Sequence, residues 1–199
     1  MVNNRENSVI KKLTREELIS VYTTHSVRHF PADERKPVSS ISRMAEEGIY
    51  AGYGLYKETD TELLCYAFFT VLPGCRNILL DYFAVMEQYR SEGIGSYFLE
   101  KMKHSLPNCD GILIETENPD YAKDESERLV RDKRISFYER NGAYSAGILA
   151  EIFGVHYRIL FLPVLKSPAQ GTLLSDFDSI YRYMVPPEYY KKYIHISDI

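Results

Sequence analysis

Asn77 to Val85 reads NILLDYFAV, a nine-residue run whose one charge is Asp81. A run with no polar face, taken as a strand, must be covered on both sides, and that calls for helices layered on a sheet. It leads into the connector MEQYRSEGIGS, centred on R-x-x-G-x-G at Arg90, Gly93 and Gly95. A helix-patterned segment follows from Ile94 to about Leu106, with Ile94, Phe98, Met102 and Leu106 on one face and Leu99 beside them. Buried strand, glycine turn and amphipathic helix in immediate succession constrain the fold more than any other stretch.

The other elements fit around this unit. Thr14 and Glu17 form a capping box, Leu13 and Leu18 take the hydrophobic-staple positions, and Pro31 ends the helix they start. FPADERKP reads as a turn-like segment. A second helix is predicted over 37–47, with Pro37 at its first position and Gly48 as its stop. Strands are predicted over 49–56, 63–72, 77–85, 112–116, 143–153 and 155–162, with Pro73-Gly74 as a turn. A charged helix spans about 124–140 and ends at Asn141-Gly142. After Pro163 the pattern changes: Pro168, Gly171, Pro186 and Pro187 punctuate the chain, and tyrosines crowd the stretch 181–193.

Composition removes several classes of function. The chain has 199 residues and a net charge of -4, which argues against a broad nucleic-acid surface. With 17 Tyr and 9 Phe, disorder is not expected. Cys65, Cys75 and Cys109 match no zinc or disulfide spacing, so a reducing, cytoplasmic setting is the expectation. The N-terminus is too polar for a signal peptide, and the longest apolar run, Ile159 to Leu165, is too short to span a membrane.

The turn carries the chemistry. Glycines let backbone approach a ligand closely, and the first N–H groups of a helix lack intrahelical acceptors at its positive end. That combination suits a pyrophosphate; the alternative is a turn whose glycines only permit tight packing. Neither a dinucleotide fingerprint nor a Walker A loop is present.

LDYFAV, the R-x-x-G-x-G turn and FLEKM together resemble motif A of the GNAT superfamily of N-acetyltransferases. Ile135 to Ala143, ISFYERNGA, resembles that superfamily's F-Y-x-x-x-G-F segment, with Ala143 where an aromatic residue is common. The resemblance covers about 49–162, and the wider pattern looks like an uncharacterised bacterial subgroup. It implies an α+β (α/β) fold, a mixed and mostly antiparallel sheet flanked by helices, with acetyl-CoA held where two central strands splay apart. Residues 1–162 would form the acetyltransferase-like domain and 163–199 a C-terminal appendage packed on it. Carried over by position, Phe83, Ala84 and Val85 would bind the pantetheine and acetyl group through backbone. Arg90, Ser91, Glu92, Gly93, Ile94, Gly95 and Ser96 would cradle the pyrophosphate, and Asn118 would contact the pantetheine arm.

The resemblance implies an N-acetyltransferase that moves an acetyl group from acetyl-CoA to a primary amine, on a small molecule or a peptide, by direct attack through a tetrahedral intermediate. The alternative is a non-catalytic acyl-CoA sensor or interaction module. Tyr138, within the second motif, is the candidate acid for the leaving thiolate, against a packing role. Glu115 is the candidate base, against a solvated strand-end carboxylate, with Glu117 and Asp81 as lesser nominees. No metal is expected: His25 and His29 have helical i,i+4 spacing but no third ligand suggests itself. Neither nucleic acid nor membrane is an expected partner. The Tyr-rich tail packs on its own sheet, roofs the acceptor site or makes a homodimer contact.

Overall fold

The computed structural model describes residues 7–58, 61–106, 109–165 and 171–198, so the Pro168 signal lies outside the described residues. The strands are β1 (Ser8–Lys12), β2 (Tyr50–Lys57), β3 (Leu63–Thr70), β4 (Asn77–Val85), β5 (Gly111–Glu117), β6 (Tyr144–Ile152), β7 (Val155–Pro163) and β8 (Ile194–Asp198). The helices are α1 (Arg15–His29), α2 (Val38–Glu46), α3 (Ile94–Ser105), α4 (Glu125–Arg140), α5 (Thr172–Met184) and α6 (Pro187–Tyr193). Hydrogen-bonded strands follow the order β1-β2-β3-β4-β5-β7-β6-β8. The β1–β2, β2–β3, β5–β7, β6–β7 and β6–β8 pairings are antiparallel, and β4–β5 is parallel. This is the mixed, mostly antiparallel sheet that the sequence implies.

The chain divides into two compact units, Met1–Pro73 with Asp81–Met102, and Gly74–Leu80 with Lys103–Ile199. In the first unit, α1 starts as its sequence dictates: Glu17 N–H donates to Thr14 Oγ1 at 3.2 Å, and Thr14 N–H donates to Glu17 Oε2 at 2.7 Å. Leu18, Val21 and Tyr22 of α1 and Ile41 and Met44 of α2 are buried. Gly52 of β2 lets α1 come close, because a Cβ there would stand 3.0 Å from Leu18 Cδ1. Beneath them Tyr22, Phe30, Phe68 and Tyr82 form a chain of edge and tilted ring contacts at 4.9–6.3 Å between centroids. Pro37 sits at the N-cap of α2 rather than one residue inside it, because Ile41 N–H and Ser40 N–H both close on the Pro37 carbonyl.

In the second unit, β5 is buried from Gly111 to Ile114, and α5 contributes Leu173, Phe177, Ile180 and Tyr181 to the core. Two strands absent from the sequence reading appear at the ends of the chain. β1 is five residues long and ends in two lysines, the short charged form that edge strands take. The Tyr-rich tail ends in β8, which pairs with β6 from Ile194↔Ile152 to Asp198↔Ile148.

Asp176 of α5 holds the start of β4. Its Oδ2 accepts Arg76 N–H at 2.9 Å, Asn77 N–H at 2.9 Å and the Asn77 side-chain amide at 2.8 Å, and Asp176 is buried. Removing the carboxylate strands buried backbone donors. Asp176→Ala is therefore expected to lower the unfolding free energy by about 3 kcal/mol, read as a shift of the urea midpoint. A loss below about 0.5 kcal/mol, the range of an ordinary surface change, would contradict this role.

Candidate active site

β4 pairs with β5 over four residues only, Asn77–Leu80 against Gly111–Ile114. Its last five residues, Asp81 to Val85, belong to the first unit. There Asp81 is anchored: its carboxylate accepts Lys36 Nζ at 2.5 Å and the Tyr50 hydroxyl at 2.5 Å, and its side chain is 3% exposed. Burial, then the Asp81 charge, raises the Tyr50 pKa well above the ordinary phenol value, so Tyr50 stays a donor. Tyr82 donates to the Glu34 carbonyl at 2.9 Å and accepts Lys36 N–H at 2.9 Å, which ties the 31–37 segment to the strand.

Phe83, Ala84 and Val85 close β4, with the Phe83 ring stacked on Phe98 of α3 at 5.6 Å. A 3-10 turn, Glu87–Tyr89, comes next. Tyr89 is buried, and its hydroxyl donates to Glu62, which also accepts Lys57 Nζ at 2.7 Å. Hydrogen bonds from Lys57 and then Tyr89 hold the Glu62 pKa below the ordinary carboxylate value. This tether seats the turn on the β2–β3 hairpin.

The following residues adopt the geometry that the glycine pattern suggests and one feature that it does not. Gly93 lies at φ 76°, and so does Ser91, at φ 66°. A non-glycine residue in this left-handed region costs energy and persists only where the surroundings over-determine it. Positive φ at positions 91 and 93, with one residue between them, turns the chain sharply just before the helix. α3 starts at Ile94, and Tyr97 N–H bonds the Gly93 carbonyl at 3.0 Å, so Ile94, Gly95 and Ser96 form its first turn. Arg90 is exposed, and its Nε donates to the Val85 carbonyl at 3.3 Å. Residues 83–85 and 90–96 are thus one continuous strand-turn-helix.

Glu115, Asn118 and Tyr138 belong to the second unit. The Glu115 carboxylate accepts the Tyr181 hydroxyl, a contact 66 residues apart in sequence. Asn118 is buried: its side-chain oxygen accepts Asp120 N–H at 3.1 Å and its carbonyl accepts Arg131 Nη1 at 2.8 Å. It lines a cavity of about 250 Å³ together with Tyr121, Glu151, His156 and His195. Tyr138 is buried near the end of α4, where its carbonyl accepts Asn141 and Ala143 N–H at 3.0 Å. Glu117 pairs with Arg131 at 3.2 Å and Arg134 at 2.8 Å. Burial pushes the Cys75 and Cys109 thiols up to about 11, which makes them poor nucleophiles. Among the described residues no group of three or more His, Cys, Asp or Glu is placed to hold a metal, and no helix is long and apolar enough to cross a membrane.

No family model matches the sequence, and no curated protein matches it. Solved structures do. A GNAT-family protein from Bacteroides thetaiotaomicron superposes with a TM-score of 0.64 at 16% identity, over 91% of this chain and 98% of that one. The ribosomal-protein-S18-alanine N-acetyltransferase from Escherichia coli gives 0.57 at 18% identity, over 82% and 97%. The spermidine N-acetyltransferase from Vibrio cholerae, in complex with CoA and spermine, gives 0.58 at 9% identity, over 81% and 98%. At these identities the likeness is one of fold.

Replacing Tyr89 with Phe keeps the buried ring and removes the Glu62 contact. Tyr89→Phe is expected to speed amide hydrogen exchange across 87–93 at least tenfold while leaving exchange in α1 unchanged. Unchanged exchange in the turn would show that ring packing alone seats it.

Proposed function

We propose that this chain, which has the fold of the GNAT acetyltransferases, transfers an acetyl group from acetyl-CoA to a primary amine by direct attack. The observation that carries the reading is the turn from Arg90 to Ser96, where Ser91 and Gly93 take positive φ ahead of a helix N-terminus. Backbone N–H groups there suit the pyrophosphate, with Arg90 adding a cation. The ends of Phe83, Ala84 and Val85 suit the pantetheine amides and the acetyl carbonyl, and Asn118 is assigned to the pantetheine arm.

The chemistry then needs three services from the protein. The amine nitrogen attacks the thioester carbonyl carbon, and the negative charge that grows on the carbonyl oxygen is met by backbone N–H near Val85. The carbon–sulfur bond breaks with its electron pair on sulfur, and the Tyr138 hydroxyl donates the proton that neutralises the thiolate. The third service is removal of the ammonium proton. Glu115 is the carboxylate nominated from the sequence, and it is engaged by Tyr181.

Two neighbours of the same fold concern primary amines, an alanine of a ribosomal protein in one and a polyamine in the other. They support a screen with both an alanine-initiated peptide and spermidine. The second reading, acyl-CoA binding without turnover, is favoured by the Tyr181 contact that occupies Glu115.

A thermal melt with acetyl-CoA, with NAD as control, tests coenzyme binding. Ligand at 100 times its Kd adds about 2.7 kcal/mol, which raises the Tm of a domain this size by roughly 5–10 °C. No shift at millimolar acetyl-CoA would remove both readings. Thiol release with the two amines separates them. Tyr138→Phe is expected to lower kcat by about 10²-fold with an unchanged melt shift, the signature of an acid rather than a binding group. Full kcat in that variant would leave Tyr138 a packing residue.

A further inference from the structure

We propose that His29 is the proton acceptor of the transfer reaction, taking the proton that the acceptor amine gives up; the inference rests on the acetyl-transfer reading above. His29 closes α1 in the first unit. Its Nδ1 lies 2.9 Å from the Tyr66 hydroxyl, and the two rings stack at 5.7 Å with 25° between planes. Tyr66 is fully buried on β3. Met86 N–H donates to the Leu64 carbonyl at 3.0 Å, and β3 and β4 are joined by a short turn, so they run antiparallel. Stepping two residues along each strand puts Tyr66 level with Ala84. Two more put Phe68 level with Tyr82, and those rings are indeed 6.3 Å apart. His29 is therefore bonded to the tyrosine whose backbone is level with Ala84, the middle residue of the tripeptide assigned to the pantetheine and acetyl group.

The carboxylates that the sequence offered are all occupied. Glu115 accepts the Tyr181 hydroxyl, Glu117 pairs with two arginines, and Asp81 accepts Lys36 and Tyr50. His29 differs. The groups that act on it are His25 and Arg28 on its own helix, Tyr66 on β3, and Glu87 and Arg90 on the turn after β4. Burial lowers its pKa below 6.5; Arg90, His25 and Arg28 push the same way, and Glu87 opposes them. The resting imidazole is neutral at pH 7 and free to take a proton. Proton uptake at Nε2 requires the tautomer in which Nδ1–H is donated to the Tyr66 oxygen; Nε2 then carries the lone pair, and no group among the described residues bonds it. Once the imidazolium forms, the carbonyl end of α1 favours its charge.

An amine with a pKa of ~10 arrives as the ammonium, and one N–H bond breaks with its proton passing to His29 Nε2. The freed electron pair forms the C–N bond to the thioester carbon. The C–S pair departs on sulfur and receives the Tyr138 proton. The nitrogen, now bonded to carbon, loses its second proton to solvent; solvent also takes the proton held by His29 and returns one to Tyr138, so one proton is released per amide formed.

The test has an arm that needs no acceptor. In the histidine ¹H–¹⁵N spectrum, assigned with His29→Gln, saturating acetyl-CoA is expected to move the His29 resonances. Coenzyme that raises the Tm while leaving them in place overturns the inference and leaves the coenzyme reading intact. No Tm rise removes both. The kinetic arm measures kcat by thiol release with spermidine and with an alanine-initiated peptide. His29→Gln is expected to lower kcat 10²–10³-fold with the acetyl-CoA KM within twofold. It should also abolish the acid-side fall in kcat expected of wild type, which the lowered His29 pKa puts below pH 6.5. Tyr66→Phe, a positioning change, should move that limb without removing it. Kcat within threefold of wild type with the acid limb intact overturns the proposal, and so does coenzyme binding with no thiol release from either amine.

Discussion

Backbone hydrogen bonds of β4 organise the structure, and they change partner midway along the strand. Over Asn77–Leu80 the strand is paired in parallel with β5. From Asp81 the chain is still extended, yet that ladder has ended, and each N–H and C=O on that edge needs another partner. One such group, the Val85 carbonyl, is taken by the Arg90 guanidinium from the following turn. The second half of the strand is thus held by partners other than β5. The buried apolar character of NILLDYFAV makes this affordable, because side-chain burial holds the strand in place where the ladder does not.

The rest of the first unit can be understood as support for that half-strand. Asp81 is pinned by Lys36 and Tyr50, Tyr82 by the 31–37 segment, Phe83 by Phe98, and the turn beyond by Tyr89 on Glu62. Each contact brings in a different element. Hydroxyls and ammonium groups lie at the ends of long aromatic and aliphatic side chains, so polar satisfaction and packing are achieved by the same residues. A binding surface made of backbone has few side chains of its own, and its rigidity has to come from neighbours.

Local signals were legible in the sequence and long-range ones were not. The capping box of α1 was readable because both of its hydrogen bonds span three residues. β4 matches its sequence-based bounds because its apolar run is bracketed by a polar head and a polar turn. β1 and β8 escaped notice: SVIKK and IHISD are too short and too mixed to show a period, and only pairing with β2 and β6 makes them strands. In the candidate site, Gly93 announced a left-handed turn, whereas nothing about a serine announces that Ser91 shares it. His29 appeared only as half of an i,i+4 pair with no third ligand to make a metal site; its partner Tyr66 lies 37 residues away. The occupancy of Glu115 by Tyr181 is equally invisible at a separation of 66.

The Asp176 contact bears on how the chain is made. The amides of Arg76 and Asn77 wait for a carboxylate about 100 residues further on, and β6 waits for β8 at the very end of the described chain. At 5–20 residues per second, roughly 5–20 s of synthesis separate the start of β4 from the group that satisfies it. Contacts at such separation slow folding, because loop closure must come before the bonds that reward it. The first unit draws only on residues up to Met102 and can assemble during that interval. The middle of β4 is then a boundary in time as well as in hydrogen bonding, and a nascent chain halted before Thr172 would carry the Arg90–Ser96 turn ahead of the helix that anchors its strand.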